Sequence, residues 1–391
     1  MNLFKRLFYI SLILLVHSCQ ELTTGPINSD STPPAPVTGV EVKSIPGGAK
    51  LSYVPPDDKD LLYVKAVFTT KEGGQQKEVK ASLYENQMTI EGFGDTLLHQ
   101  VMLYAVDRGE NVSEPISVNV KPLKPPFQNI FETLEITEDF GGARFSWENT
   151  FESPVAIILL APDSLQKMSI YEMVYTSELR GTRSIRGFDP EKQKFAVLIR
   201  DRWDNYSDTL TKEIIPMYEE EMDKSKFQPV YLANDNEWDA WEGEFEYIYD
   251  DDLETFNHTA GGTGWPQQLT IDLGVTVKLS RYKLWQRQGG YSYKHGNFKK
   301  WEIYGRADVP EDDGSWDNWK KLMVCDSYKP SGLPIGQETN EDLAHMKAGD
   351  EFTFDLEGEP VRYIRIRVLE TWSGATFSHM AEISFYGQIV E

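Results

Sequence analysis

The sequence predicts an all-β chain of three sandwiches: two small ones in tandem, then a larger jelly-roll. Three observations carry this. Part of the first half repeats itself at a fixed offset of 94 residues. Apolar and polar residues alternate with period two in short runs, as in half-buried strands. In residues 227–391 no long amphipathic helical pattern interrupts those runs. A chain of 391 residues is also too long for a single core and long enough for several.

Ahead of the sandwiches, Lys5 and Arg6 precede an apolar run, Leu7 to Val16, broken by Ser11. The run is too short to span a bilayer and suits the core of a signal peptide, residues 1–18. It ends in Val16-His17-Ser18-Cys19, which resembles a lipobox, although His17 is unusual there. That resemblance implies a lipid on Cys19; the alternative is an ordinary cleaved signal with a chance cysteine. Residues 19–36 are polar and proline-rich, and read as a tether that anchors the chain to a membrane without spanning it. The other cysteine is Cys325. Two cysteines in an exported chain allow one disulfide, but a lipid on Cys19 would leave Cys325 a lone thiol.

The repeat defines the next two units. Gly47-Gly48-Ala49-Lys50-Leu51-Ser52-Tyr53 recurs as Gly141-Gly142-Ala143-Arg144-Phe145-Ser146-Trp147. Asp107-Arg108-Gly109-Glu110-Asn111-Val112-Ser113 recurs in the same register as Asp201-Arg202-Trp203-Asp204-Asn205-Tyr206-Ser207. Two matches in one register indicate two copies of one domain, residues 37–122 and 127–216. The Asp-Arg-x-x-Asn-x-Ser corner reads as a turn whose short polar side chains bond their own backbone. Both copies resemble immunoglobulin-like, fibronectin type III domains, in their proline-rich lead-in and in the strand Tyr104-Ala105-Val106-Asp107. Lys121 to Pro126 is a stiff linker, and residues 217–226 read as a short helix or connector.

Composition changes in residues 227–391, which hold eight of the ten tryptophans. Strand patterns recur there. Arg362-Tyr363-Ile364-Arg365-Ile366-Arg367-Val368 alternates, which predicts one buried and one wet face, and Arg362, Arg365 and Arg367 are expected to be solvated. Trp285 and Trp301 lie in strand patterns and are expected in the core. Three pieces stand in order: Tyr249 to Phe256 before Leu269-Thr270-Ile271-Asp272-Leu273-Gly274, then Gly296 to Gly305, then Val361 to Ile366 with Ala381 to Gly387. Together they resemble the discoidin, or coagulation-factor type C, family of galactose-binding-like jelly-rolls, which includes family 32 carbohydrate-binding modules. The layout of the whole chain resembles surface lipoproteins of glycan-foraging Bacteroidetes. The segment Lys329 to Pro334 lies in a long insertion that the family pattern does not explain.

The discoidin resemblance implies two sites. One is a structural Ca²⁺, held by an acidic loop and the Ala-Glu pair near the end: Asp250, Asp252, Thr255, Ala381 and Glu382. Hard oxygen donors on a loop suit calcium, but Asp251 stands where the family has a glycine, and a solvated acidic turn is the alternative. The other is a sugar site, where an aromatic face covers the ring and planar polar groups bond its hydroxyls. The positions that correspond are His258, Arg287 and Asn297, with Trp372 or Phe377 to stack. Trp265, Tyr291 and Tyr293 stand in glycine-rich loops nearby. Each has a plainer reading in packing or a salt bridge.

A net charge of −23 argues against nucleic acid and against anionic lipid as partners. No zincin, nucleophile-elbow or phosphate-loop motif is present. The expected function is therefore a cell-surface glycan-binding lipoprotein of the outer membrane. It would act beside importers or surface hydrolases and would not itself be an enzyme. The alternative is an adhesion or assembly protein that binds a protein partner through its sandwiches; a glycoside hydrolase ranks below both.

Overall fold

The computed structural model describes residues 31–390; Cys19 and its expected lipid lie outside them. The regular structure of the described chain is nearly all strand, with 48% of residues in strands and 6% in helix. Among the described residues no helix is long and apolar enough to cross a membrane.

The two repeats fold alike. In the first, Thr38–Ile45, Gly48–Val54 and Gln87–Glu91 form a three-stranded sheet. Facing it are Gln76–Ser82, Leu61–Thr69, His99–Asp107 and Ile116–Val120, in that order. The second copy repeats this arrangement. Glu135–Asp139, Gly142–Glu148 and Arg180–Arg186 form the smaller sheet, and Met168–Thr176, Val155–Pro162, Gln193–Asp201 and Leu210–Ile214 the larger. Alternation decides which side chains enter. Leu51, Tyr53, Val64 and Phe68 fill the first core; Phe145, Trp147, Ile157 and Leu159 fill the second. Burying each such side chain is worth about 1.5–3 kcal/mol. The helix Pro126–Phe131, with proline at its start, drops Phe127 and Ile130 into the second core.

The repeated corner is built identically twice. Asp107 Oδ1 accepts from the Asn111 N–H and Asp201 Oδ1 from the Asn205 N–H, at 2.8 and 2.9 Å. The hydroxyls of Ser113 and Ser207 each accept, at 2.9 Å, from the N–H of Ala105 and Ile199. In the second copy the corner also makes the joint between sandwiches. Asn205 Nδ2 donates to the Gly92 carbonyl, Arg202 pairs with Glu91 at 2.8 Å, and Trp203 lies against Gly92. Gly92 has φ +97°, and a Cβ there would come within 2.9 Å of the indole. Gly92→Ala should therefore lower the melting temperature, through strain of about 1–3 kcal/mol; a calorimetric scan against the wild type checks this.

The outer faces of the two larger sheets differ. In the first copy Lys65 lies between Lys80 and Tyr104, and both lysines pair with Glu78. The corresponding triple in the second copy is Ile158 between Met173 and Leu198. Beside it Tyr175 is 70% exposed and Ile170 is 53% exposed.

The third unit is a sandwich whose two layers share one bent strand, Gln267–Trp285. Its first part pairs with Gln228–Val230 and Val361–Thr371, and its second part with Asp350–Thr353 and Glu382–Ile389. Trp301, Phe298, Tyr282 and Ile364 fill the space between the layers. Trp301 is fully buried, whereas Trp285 is only half-buried, with Lys283 over its ring. Residues 217–226 form no α-helix. Glu220–Glu221 adds to the edge of the strand Glu382–Ile389, and Lys224–Lys226 makes one 3-10 turn. The insertion after Lys329 ends in the helix Asn340–Ala348, capped by Thr339 and Asp342.

One reading of the sheet is corrected. Arg365 is not on a wet face. It is fully buried, paired with Asp235 at 2.6 Å, and stacked 4.1 Å from the Trp316 ring centre. Strand alternation gave its side correctly, but residues 228–236 and 313–319 fold back over that side.

Candidate functional site

Four loops meet at one end of the third unit. The short strands Asn257–His258 and His379–Met380 pair with each other. The loop after Trp285 is closed by Asn297: its Oδ1 accepts from the Arg287 N–H, and its Nδ2 donates to the carbonyls of Arg287 and Tyr291. The loop after Thr371 joins it where Trp372 N–H donates to the Asn297 carbonyl at 3.0 Å.

Arg287 is the centre of this arrangement. Its guanidinium lies between two rings, 3.6 Å from the centre of Phe256 and 4.0 Å from that of Tyr291. Glu242 is its ion-pair partner, at 3.7 Å, beyond hydrogen-bond reach. The rings fix the plane and leave the in-plane donors for something else to use.

His258 lies beside it. The ring stacks on Phe377 with centres 4.9 Å apart and is 6.5 Å from Trp241. Its Nδ1 is 2.6 Å from the Thr259 carbonyl. A carbonyl only accepts, so Nδ1 carries the proton and Nε2 is left as an acceptor. Trp241 is 73% exposed, which gives the site an open aromatic face.

Burial lowers the pKa of His258, and lowers that of fully buried His379 much further. Neighbouring Arg287 and His295 reinforce both shifts. Unfolded, these rings protonate near 6.5; folded, they resist it. The contribution of these two rings to stability is thus complete above about pH 6.5 and is lost as pH falls toward the folded values. The melting-temperature difference between wild type and His379→Asn should be level from about pH 8 to 7 and should shift in the variant's favour between about pH 6.5 and 5.

Of the positions expected to bind sugar, His258, Arg287, Tyr291 and Phe377 come together. Trp265 is 38% exposed in an adjoining loop, after which the Trp265–Pro266 bond is cis. Trp372 is half-buried, edge-on to Tyr293 with ring centres 5.1 Å apart. Two expectations are corrected. Tyr293 is fully buried, with its hydroxyl bonded to the Asp342 carbonyl beneath the insertion helix, so its face meets no ligand. Asn297 is also fully buried, with its amide spent on closing the loop; it positions Arg287. Trp241 was missed. It sits three residues after Trp238, which is 1% exposed, in a turn with no periodicity to tell the two apart.

The expected calcium ligands are engaged with one another and with Lys224. Asp250 accepts from the Thr255 hydroxyl, which also donates to the Asp252 carbonyl. Glu382 faces the ammonium of Lys224 at 2.8 Å, and its second oxygen accepts from the Asp251 N–H. Ala381 N–H donates to the Trp285 carbonyl. Among the described residues no group of three or more His, Cys, Asp or Glu is placed to hold a metal. Asp251 takes φ +65°, so the turn keeps its left-handed residue without glycine. Burial pushes Glu382 up to about 7 and works against the charge on Lys224. At Lys224, hydrogen bonds to Asp251 and Glu382 outweigh burial and hold the ammonium above its ordinary value.

Among solved structures, SusE-like protein BT2857 is 35% identical to this chain. The match covers 68% of this chain and 100% of that one, with a TM-score of 0.45. The chain belongs to the SusE-like family. Three family models match this SusE-like chain in succession, each described as a domain of unknown function: DUF4959 at residues 34–122, DUF5126 at 123–225 and DUF5000 at 241–387. The family 32 carbohydrate-binding module of C. perfringens NanJ, solved with galactose, is 20% identical over 43% of this chain and 98% of that one, TM-score 0.31. A two-domain fibronectin type III segment of chicken tenascin is 12% identical over 46% and 99%, TM-score 0.23. At those values the last two carry no functional argument. No curated protein matches the chain.

Proposed function

We propose that this chain is a cell-surface glycan-binding protein, non-catalytic, that captures carbohydrate at the loop end of its third unit. The observation that carries the reading is the exposed Trp241 beside a guanidinium clamped between two rings and a histidine with a free acceptor. A sugar offers an apolar C–H face and a rim of hydroxyls, and this set meets both. Membership of the SusE-like family supports the reading. In this proposal Cys19 carries the lipid that holds the chain at the outer membrane, near importers or hydrolases. Among the described residues the carboxylate paired with Arg287 is Glu242, whereas glycoside hydrolysis uses two carboxylates.

A single site of this kind should bind with Kd of about 0.1–1 mM. Many copies on one membrane would raise the effective affinity. The test is a glycan array probed with the full chain and with Trp241→Ala. A hit that fades in the folded variant supports the site; no hit from folded wild type overturns it. A protein partner is the second reading, favoured by the apolar outer face of the second sandwich. It predicts capture that survives Trp241→Ala and fails on Ile170→Lys, at an exposed position of that face.

A further inference from the structure

The acidic turn Asp250 to Thr255 lies against Glu382, and a positive charge from within the chain fills the space between them. Lys224 stands in the 3-10 turn Lys224–Lys226 of the connector, outside the loops of the turn itself. Its Nζ lies 2.5 Å from Asp251 Oδ1, 2.8 Å from Glu382 Oε1 and 3.8 Å from Glu221. The Lys224 side chain is 10% exposed and that of Glu382 is 2% exposed, so their charges meet away from bulk water. Glu382 is otherwise satisfied by the N–H groups of Asp251 and Ile383, at 3.0 and 3.2 Å.

An ammonium and a calcium ion ask different things of such a place. Calcium takes six to eight oxygens at about 2.3–2.6 Å. An ammonium brings one charge and three donors, and is satisfied by two or three acceptors. The acceptors here number what an ammonium needs, and the Asp250 carboxylate is turned to Thr255 instead of the shared space.

We propose that the Lys224 ammonium is the resident cation of this turn, so that the third unit holds its binding end without a divalent metal. The charge is supplied by the connector from the second sandwich. Lys224 therefore ties together three pieces: the connector, the acidic turn and the last strand. The turn runs directly into Phe256 and His258, so Lys224 is a positioning residue for the candidate site.

The test is a melt of the full chain at about pH 8, where both charges are present, in EDTA and in millimolar CaCl2. The wild type should melt within about 1 °C in both. Lys224→Met should melt lower in EDTA by roughly 5–10 °C, and calcium should raise it, since the turn then lacks its cation. In a Glu382→Gln background the same substitution should cost much less, because no buried carboxylate is left without a partner. A wild type that loses several degrees in EDTA overturns the proposal. So does a Lys224→Met cost that is equal in both backgrounds. The melts need no glycan, so their outcome is separate from that of the sugar-binding reading; a fully metal-indifferent chain that binds no sugar would leave this inference standing and remove the other.

Discussion

Asp235→Ala should destabilise the third unit by about 3–5 kcal/mol, which is roughly 10 °C or more in melting temperature. The reason is the partner it leaves behind. Arg365 is fully buried, and its Nε and Nη2 both donate to Asp235 Oδ1, at 3.0 and 2.6 Å. A carboxylate can escape burial by taking a proton, and burial does push Asp235 upward, against the pull of Thr270 and Arg365. A guanidinium has no such exit, because it stays charged at any pH the protein survives. Removing both charges is a different matter. Arg365→Met with Asp235→Leu should recover most of the loss, since a packed apolar pair is often as stable as a buried ionic one. Urea unfolding of the single and double variants measures both values. A single-variant cost within about 1 kcal/mol would show that water reaches the guanidinium and that the lid over it is loose.

Arg287→Ala should weaken glycan binding by about 10–100-fold, or roughly 1.4–2.7 kcal/mol, with little change in melting temperature. Arg287→Lys should restore little of it. Lysine keeps the charge but has no plane to lie between Phe256 and Tyr291, and presents no two parallel donors. Titration of a glycan hit into each variant reads the effect. Normal binding by Arg287→Lys would mean that charge alone matters at this position, and the clamp would lose its role. Asn297→Ala, which touches no ligand in this account, should weaken binding as well, because it frees the loop that carries Arg287.

Much of the fold could be read from the residues alone. The offset of 94 holds in space: the two copies share strand order and the same corner bonds. Period-two alternation assigns Trp301, Ile364 and Leu51 to their cores. The site was legible only in part, and the reason is physical. A strand pattern tells which side of a strand is which, but not what will cover it. Arg365 is on the side expected, and a distant segment closes over it. Loops carry no periodicity at all, so Trp238 and Trp241 look alike in sequence although one is buried and the other open. Tyr293 and Asn297 face inward because the insertion helix and the loop's own carbonyls give their polar atoms partners. Lys224 lies 158 residues from Glu382, and no local pattern links them.

The contrast between the two outer sheet faces has a consequence for handling the pieces. Cut apart, the first sandwich shows water the charged row of Lys65, Glu78 and Lys80. The second shows Met173, Tyr175 and Ile170 along a strand at the edge of its sheet. Exposed apolar edges of that kind invite like molecules to stack and precipitate, while charged ones keep them apart. The two repeats should therefore differ as colloids: the first clear at high concentration, the second turbid unless kept dilute.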